Sequence, residues 1–362
     1  LEQNKIMRIA VNALPLMQDS AANTGNVPTE LMSRLCGLHP DAEFIFITDR
    51  PWTPVPALPR NCEIAVLKPF TGGKLGQYFW RRFQWNRLLK KYKTDRLLCI
   101  NDVLPFPPEV KAHLLLTRKA ALADRPSTSE YIRQFRSIAV FSEFMKEQVG
   151  GRYGGLENKF VLLTPGVSEI FIPLNWEERE QVKQEFAGGM EYFIAVGAIH
   201  PDNNIIPLLK AFSMLKKRLR SGIKLVLAGD LTPEGEDIAQ ALQTYKFRED
   251  VIWMQQAGEE DLARLIGGAY ALVHTAGADG LAVPVLQAQR CQVPAVVVYA
   301  GASTEAGKDA ALNAVPGDVT DLSEKMSALY KDELLRSRLL DHISRVPSWD
   351  DAAGELGQIV TA

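Results

Sequence analysis

Residues 274 to 289 read HTAGADGLAVPVLQAQ. An acid, Asp279, stands beside Gly280 after a glycine-bearing turn, and Pro284 then leads into an apolar segment that carries Gln287. A loop carboxylate accepts hydrogen bonds from sugar hydroxyls, and the amides of a helix start bind anionic oxygen. Pro284 suits a first helical turn, so a helix is expected from about Val283. Gln287, one turn further on, can pair with a ribose hydroxyl but lacks the strength of a carboxylate. The competing reading is a capped helix with a semi-exposed glutamine.

Three other segments follow apolar runs and precede helical ones. NTGN, residues 23 to 26, offers Gly25 for close backbone approach to a phosphate or carboxylate; it reads as well as a plain turn. GAIHPDNN runs from Gly197 to Asn204 and holds His200, Asp202 and Asn203 but no Lys or Arg, which a diphosphate would need. Asp202 or one of the asparagines is expected to cap the following helix. LVLAGD ends in Gly229 and Asp230, where a missing side chain leaves room for a base or ribose, or makes an ordinary turn.

Several chemistries find no support. There is no G-x-x-x-x-G-K-[ST] segment, and Ser142 lacks the G-x-S-x-G setting of a nucleophilic serine. The five histidines form no metal-binding spacing, so no metal is expected. Cys36, Cys62, Cys99 and Cys291 are scattered without a C-x-x-C pair and read as reduced, partly buried thiols. With 41 basic and 43 acidic residues the formal charge is -2, which gives no argument for nucleic acid. No apolar run approaches the roughly 20 residues of a membrane span. The expected localisation is cytoplasmic, including the inner face of the membrane.

The positioning elements follow from periodicity. A chain of 362 residues suits two cores. LEQNK reads as a short leader before Met7. Apolar runs at 7–12, 43–49, 62–68, 95–100, 113–117, 137–143 and 159–166 read as strands, with helices from about Pro28, over 77–92 and after 143. The segment TPGVSEIFIPLNWEE, 164 to 178, has weak periodicity and reads as an interdomain linker. A second series follows: strands at 191–197, 223–230, 250–255, 270–276 and 294–300, and helices at 176–187, 205–219, 259–269, 283–292 and 320–342. Apolar strands alternating with helices predict α/β architecture, with two doubly wound parallel sheets and a cleft between them. Ligands then sit beyond the carboxyl ends of strands. The aromatic, basic helix FWRRFQWNRLLKKYK, 79 to 93, reads either as a peripheral membrane contact or as core aromatics with a wet basic face; the second reading is preferred.

These segments together carry a family resemblance. FIAVGAIHPDNNIIPLLKAF, LVLAGD, AYALVHTAGADGLAVPVLQAQRCQVPAVV, GASTEAGKDAAL and SWDDAAGEL resemble successive motifs of the family 4 glycosyltransferases, retaining enzymes of GT-B fold. The resemblance covers nearly all of residues 7 to 362. It implies an acceptor-side Rossmann-like domain at 7–166, a nucleotide-sugar domain at 167–345 and a terminal helix at 346–362 that crosses back to the first domain. It also implies transfer of a sugar from a nucleotide-diphosphate donor to a glycan or lipid-linked acceptor, with no cofactor. A partner glycosyltransferase is a further implied contact.

Carried over residue by residue, the pattern is incomplete. Asp202 and Asn203 stand where the family has Arg-Lys on the diphosphate. Asp279 replaces the first Glu of the donor motif and takes its catalytic position, and Gln287 replaces the second, which grips the ribose. Leu281 replaces a Phe, and Ala282 a Gly. The first domain's His-Asp pair falls at or near Thr117 and Arg118, with neither His nor acid present. The donor-binding candidates are thus Gly25, Gly197, Asn203, Gly229, Gly280, Leu281 and Gln287, with Arg118 and Lys119 as substitute cations. Two expectations stand: a glycosyltransferase whose donor is held differently, or an inactive homologue that binds a sugar or a partner.

Overall fold

The computed structural model describes residues 6–17, 27–53, 58–67, 74–104, 109–117, 131–276, 280–298 and 301–362. They fall into two compact units, one running to Pro165 and including Trp349–Ala362, the other spanning Gly166–Ser348.

The first unit holds β1 (Met7–Asn12), β2 (Ala42–Thr48), β3 (Cys62–Val66), β4 (Arg96–Ile100), β5 (Lys111–Leu116), β6 (Ser137–Val140) and β7 (Phe160–Leu162). Their order is β3-β2-β1-β4-β5-β6-β7, with every pairing parallel. The central strands are buried along nearly their whole length, since helices cover both faces. That is why they read in sequence as unbroken apolar runs. On the Lys74–Lys91 helix, Trp85 and Leu89 lie in the core, while Arg82, Phe83, Arg87 and Lys90 are exposed. The aromatic residues are therefore not all internal, because Phe83 sits on the wet face.

The helix Trp349–Thr361 belongs to this first unit. Trp349, Ala352, Ala353, Leu356 and Val360 lie buried along one stripe. It packs on the helix Val27–Leu38, with Arg34 paired to Asp350 at 3.1 Å. Glu355 accepts from Thr164 N at 2.7 Å and from its hydroxyl at 2.9 Å. A Cβ on Gly357 would stand 2.0 Å from His39 Nε2, so that ring would have to shift.

The second unit holds β8 (Tyr192–Val196), β9 (Lys224–Ala228), β10 (Val251–Met254), β11 (Ala271–His274), β12 (Ala295–Val298) and β13 (Ala311–Ala314). The order is β10-β9-β8-β11-β12-β13, again all parallel. The amphipathic helix Ile205–Leu219 has the bounds its periodicity predicts. Two expectations need correction. The presumed linker is largely part of this unit, since Val167 and Phe171 are in its core and Val167 pairs with Ser348. The helix expected over 320–342 is two helices, Val319–Lys331 and Glu333–Asp341. They are separated by Asp332, whose extended backbone lets its carboxylate cap the second at Leu335 N. Asp competes with the helical backbone through such local bonds, so no Gly or Pro was needed for the break. Strand β13 and the short helix Ala302–Gly307 went unpredicted because the small-residue stretch GASTEAGKDAALNA has neither period.

Candidate functional site

In each sheet the chain order reverses at one point, between β8 and β11 in the second unit and between β1 and β4 in the first. Loops leaving adjacent strands there diverge and open a crevice at the carboxyl ends.

At the second unit's switch point, two segments singled out in sequence are tied together. Thr275, just past β11, donates its hydroxyl to Asn203 O at 2.6 Å. Asn204 returns an amide bond to Thr275 O at 2.9 Å. Asn204 sits in the left-handed region at φ 51° and makes no side-chain cap. The expected asparagine or Asp202 cap of the Ile205–Leu219 helix is therefore absent. Instead His200 Nδ1 accepts from Asp202 N at 3.1 Å in the preceding turn. Asn203 turns inward, donating to Ala198 O at 2.6 Å. The Asp202 side chain is 87% exposed, 3.7 Å from His200.

Gly197 and Gly229 have a packing reason. Gly197 adopts φ 143°, and a Cβ on Gly229 would lie 1.9 Å from Gly197 O. A side chain at Gly229 would therefore meet protein backbone. Asp230 beside it serves a turn, accepting from Gln256 N at 2.7 Å. This rigid rim fixes where the ends of β8 and β9 can present backbone.

The helix Val283–Arg290 begins after Ala282, which takes φ 46° and offers no side-chain cap. Pro284 lies in the first turn, as expected. Every residue from Val283 to Gln289 is buried, so this helix is internal rather than amphipathic. Its two glutamines differ. Gln289 Nε2 donates to Ala306 O at 2.7 Å. Gln287 is 5% exposed, yet its Oε1 has no hydrogen-bond partner among the described residues. The semi-exposed reading of Gln287 is thus wrong, because its helix is covered all round. A buried acceptor left unmet costs about 1–3 kcal/mol, and a native orphan of this kind calls for an explanation. Leu281 is buried, and Gly280 precedes it at the loop's return.

In the first unit the strand ends carry a polar set. Asn12 donates to Asp102 at 3.4 Å across the switch point. Thr117 is held from both sides by Asn101: Asn101 Nδ2 donates to its hydroxyl and Asn101 Oδ1 accepts its N–H, both at 2.8 Å. Sequence reasoning singled out Thr117 but missed Asn101. Its signal was an asparagine ending an apolar strand, the residue that best tolerates the left-handed φ of 51° found there. Ser142 caps the helix Glu143–Tyr153 by accepting from Met145 N. Gly25, Arg118, Lys119 and Asp279 lie outside the described residues.

His113 is buried within β5, bonded through Nδ1 to Ser137 at 2.8 Å. Burial pushes its pKa down to about 4, aided by the charges of Arg96, Arg136 and Lys111. Among the described residues no cluster of His, Cys, Asp or Glu could hold a metal ion. No described helix is long and apolar enough to cross a membrane.

Comparison with known proteins agrees with this architecture. Residues 177–343 match the family model "Glycosyl transferases group 1". The chain is 27% identical over 214 residues to the Escherichia coli O-antigen chain mannosyltransferase B, a match covering 58% of this chain and 55% of that protein. It thus spans little more than half of that relative's length. Among solved structures it superposes on sucrose-phosphate synthase from Thermosynechococcus elongatus with TM-score 0.76 and 13% identity, covering 98% of both chains. Anabaena HepE in complex with UDP and glucose gives 0.73 at 12% identity, covering 99% of this chain and all of that one. At such identities the superpositions speak for the fold, which is GT-B.

Proposed function

We propose that this chain, a GT-B homologue of the glycosyl transferases group 1, transfers a glycosyl unit from a nucleotide-diphosphate sugar to a hydroxyl of a growing glycan. The names of its relatives, O-antigen chain mannosyltransferases of Escherichia coli and Salmonella typhimurium, make mannose the sugar and an O-antigen-type chain the acceptor to test first. The observation that carries the reading is the buried, unmet Oε1 of Gln287 on the helix that follows the β11 loop.

A ribose hydroxyl donating to Gln287 Oε1 would satisfy that acceptor. The start of the same helix, where Ala282 offers no side-chain cap, suits diphosphate oxygens. On this reading Asp279 orients the sugar, and Arg118 and Lys119 are the cations that compensate for Asp202 and Asn203. Such charge stabilises the departing diphosphate as its negative charge develops.

The second reading is a homologue that binds a nucleotide sugar without transferring it. The 197–204 loop favours it, because Asn203 is spent on Ala198 O and Asp202 brings an anion where a cation would help. One experiment separates the two. Calorimetry with GDP, UDP and their common sugar conjugates is followed by an assay of diphosphate release with an O-antigen-type acceptor. Binding with release supports transfer; binding without release supports the silent homologue. No heat at millimolar ligand sinks the donor-site reading altogether. If binding occurs, Arg118→Ala and Lys119→Ala are expected to weaken it.

A further inference from the structure

The segments that leave the six strands of the second sheet at their carboxyl ends are residues 197–204, 229–235, 255–258, 275–282, 299–301 and 315–318. They contain no Lys or Arg, and their one protonatable base is His200. A bound diphosphate needs positive charge as well as amides. Within these segments a protonated His200 is the side chain that adds it.

The loop that carries His200 is anchored on both sides. Ile199 N donates to Asp230 O at 2.8 Å, and Thr275 bonds to Asn203 and Asn204. The His200 side chain is 30% exposed. Its Nδ1 accepts from Asp202 N at 3.1 Å, which puts the proton of the neutral ring on Nε2. The Asp202 carboxylate faces the same Nδ1 at 3.7 Å. The turn after β9, bonded to Ile199 O through Thr232, brings Glu234 and Asp230, whose carboxylate accepts from Gln256 N. Strand β11 brings His274, which is 3% exposed. Each of these neighbours is acidic or buried, so the surroundings favour a cation on His200.

We infer that His200 is a donor-binding residue that works in its protonated form. A proton taken from solvent onto Nδ1 removes the acceptor of the Asp202 amide and sets an N–H beside the Asp202 carboxylate. The imidazolium then pairs with that carboxylate and cancels the anion that repels a diphosphate. Its Nε2–H donates in both states, and in the charged ring it becomes a charge-assisted donor to a diphosphate oxygen. Histidine is the side chain that ordinarily changes charge between about pH 5 and 8. Binding of a nucleotide-diphosphate sugar therefore takes up a proton and strengthens as the pH falls through that range. The inference rests on the donor-site reading and adds to it one residue and a pH dependence.

The test is titration calorimetry on the full chain with GDP-mannose and UDP-glucose, at about pH 8 and about pH 5.5. The phosphates of these conjugates keep a constant charge across that range, unlike the terminal phosphate of free GDP or UDP, so the proton linkage belongs to the protein. Affinity is expected to rise at least about fivefold at the lower pH, the worth of one unit charge near 4 Å in water. Buffers of different ionisation enthalpy should show proton uptake on binding. His200→Gln should bind no more tightly at the lower pH than at the higher. Asp202→Asn keeps the amide that bonds to His200 and removes the anion, so it should bind about twofold or more tighter than wild type at the higher pH. A flat profile in the wild type, or a rise that survives in His200→Gln, overturns the inference alone. No binding at either pH overturns the donor-site reading and this inference with it. Where His200→Gln folds poorly, Asp202→Asn decides, and an affinity unchanged at the higher pH overturns the inference.

Discussion

Replacing Gln287 by methionine keeps the length of the side chain and removes one acceptor from a buried helix. Gln287 is 5% exposed and its Oε1 is unmet among the described residues. Relieving such an orphan is worth about 1–3 kcal/mol, and methionine adapts to an irregular cavity without polar atoms. Gln287→Met is therefore expected to stabilise the ligand-free second unit by about 1–2 kcal/mol, against the usual sign for core substitutions. For a unit of this size that is about 2–8 °C in its unfolding midpoint. The same change should weaken GDP or UDP binding by about threefold to tenfold, the worth of one net hydrogen bond. Scanning calorimetry without ligand and titration calorimetry with it measure both numbers. A midpoint that falls would refute the claim that Oε1 goes unmet in the free protein. Unchanged affinity in a stabilised variant would remove Gln287 from the ribose site.

Three further outcomes are expected. His113, held neutral near pKa 4 against about 6.5 in the unfolded chain, leaves the folded state with fewer bound protons between those values. Stability is thus fully present above about pH 6.5 and falls by about 3 kcal/mol as pH drops towards 4; urea titrations across that window should find the loss much reduced in His113→Asn. Gly229→Ala places a Cβ 1.9 Å from Gly197 O and should cost about 1–3 kcal/mol or more, read from the urea midpoint, together with nucleotide affinity. Asp202→Lys changes an 87% exposed side chain, so the urea midpoint should hardly move, while diphosphate affinity rises about threefold or more at low salt and less at high salt.

Much of the fold was legible along the chain. Parallel strands covered on both faces must be apolar throughout, so β1, β2, β8 and β9 announce themselves as short runs. The Ile205–Leu219 helix was legible from its single apolar stripe. Where local signals were weak the reading slipped. Asp332 breaks a helix through its own carboxylate, and β13 is made of residues with no marked preference. Of the site, the segments were legible but not their internal bonds. Asn203 and Asn204 were picked out, yet their partners, Ala198 and Thr275, became visible only when β8 and β11 stood side by side.

The sequence by itself determined two rounds of apolar strand and helix, and with them the doubly wound sheets and the loops at which a ligand meets them. Those properties follow from periodicity, which is local. It also determined which polar residues stand at the strand ends, among them Thr117 after β5 and Thr275 after β11. Only tertiary structure decided what those residues can do. It buried Gln287 with no donor to its oxygen among the described residues, set the Gly197 carbonyl against Gly229, and tied the 197–204 loop to Thr275. Burial, close approach and pairing depend on which distant segments become neighbours, and no spacing along the chain encodes that.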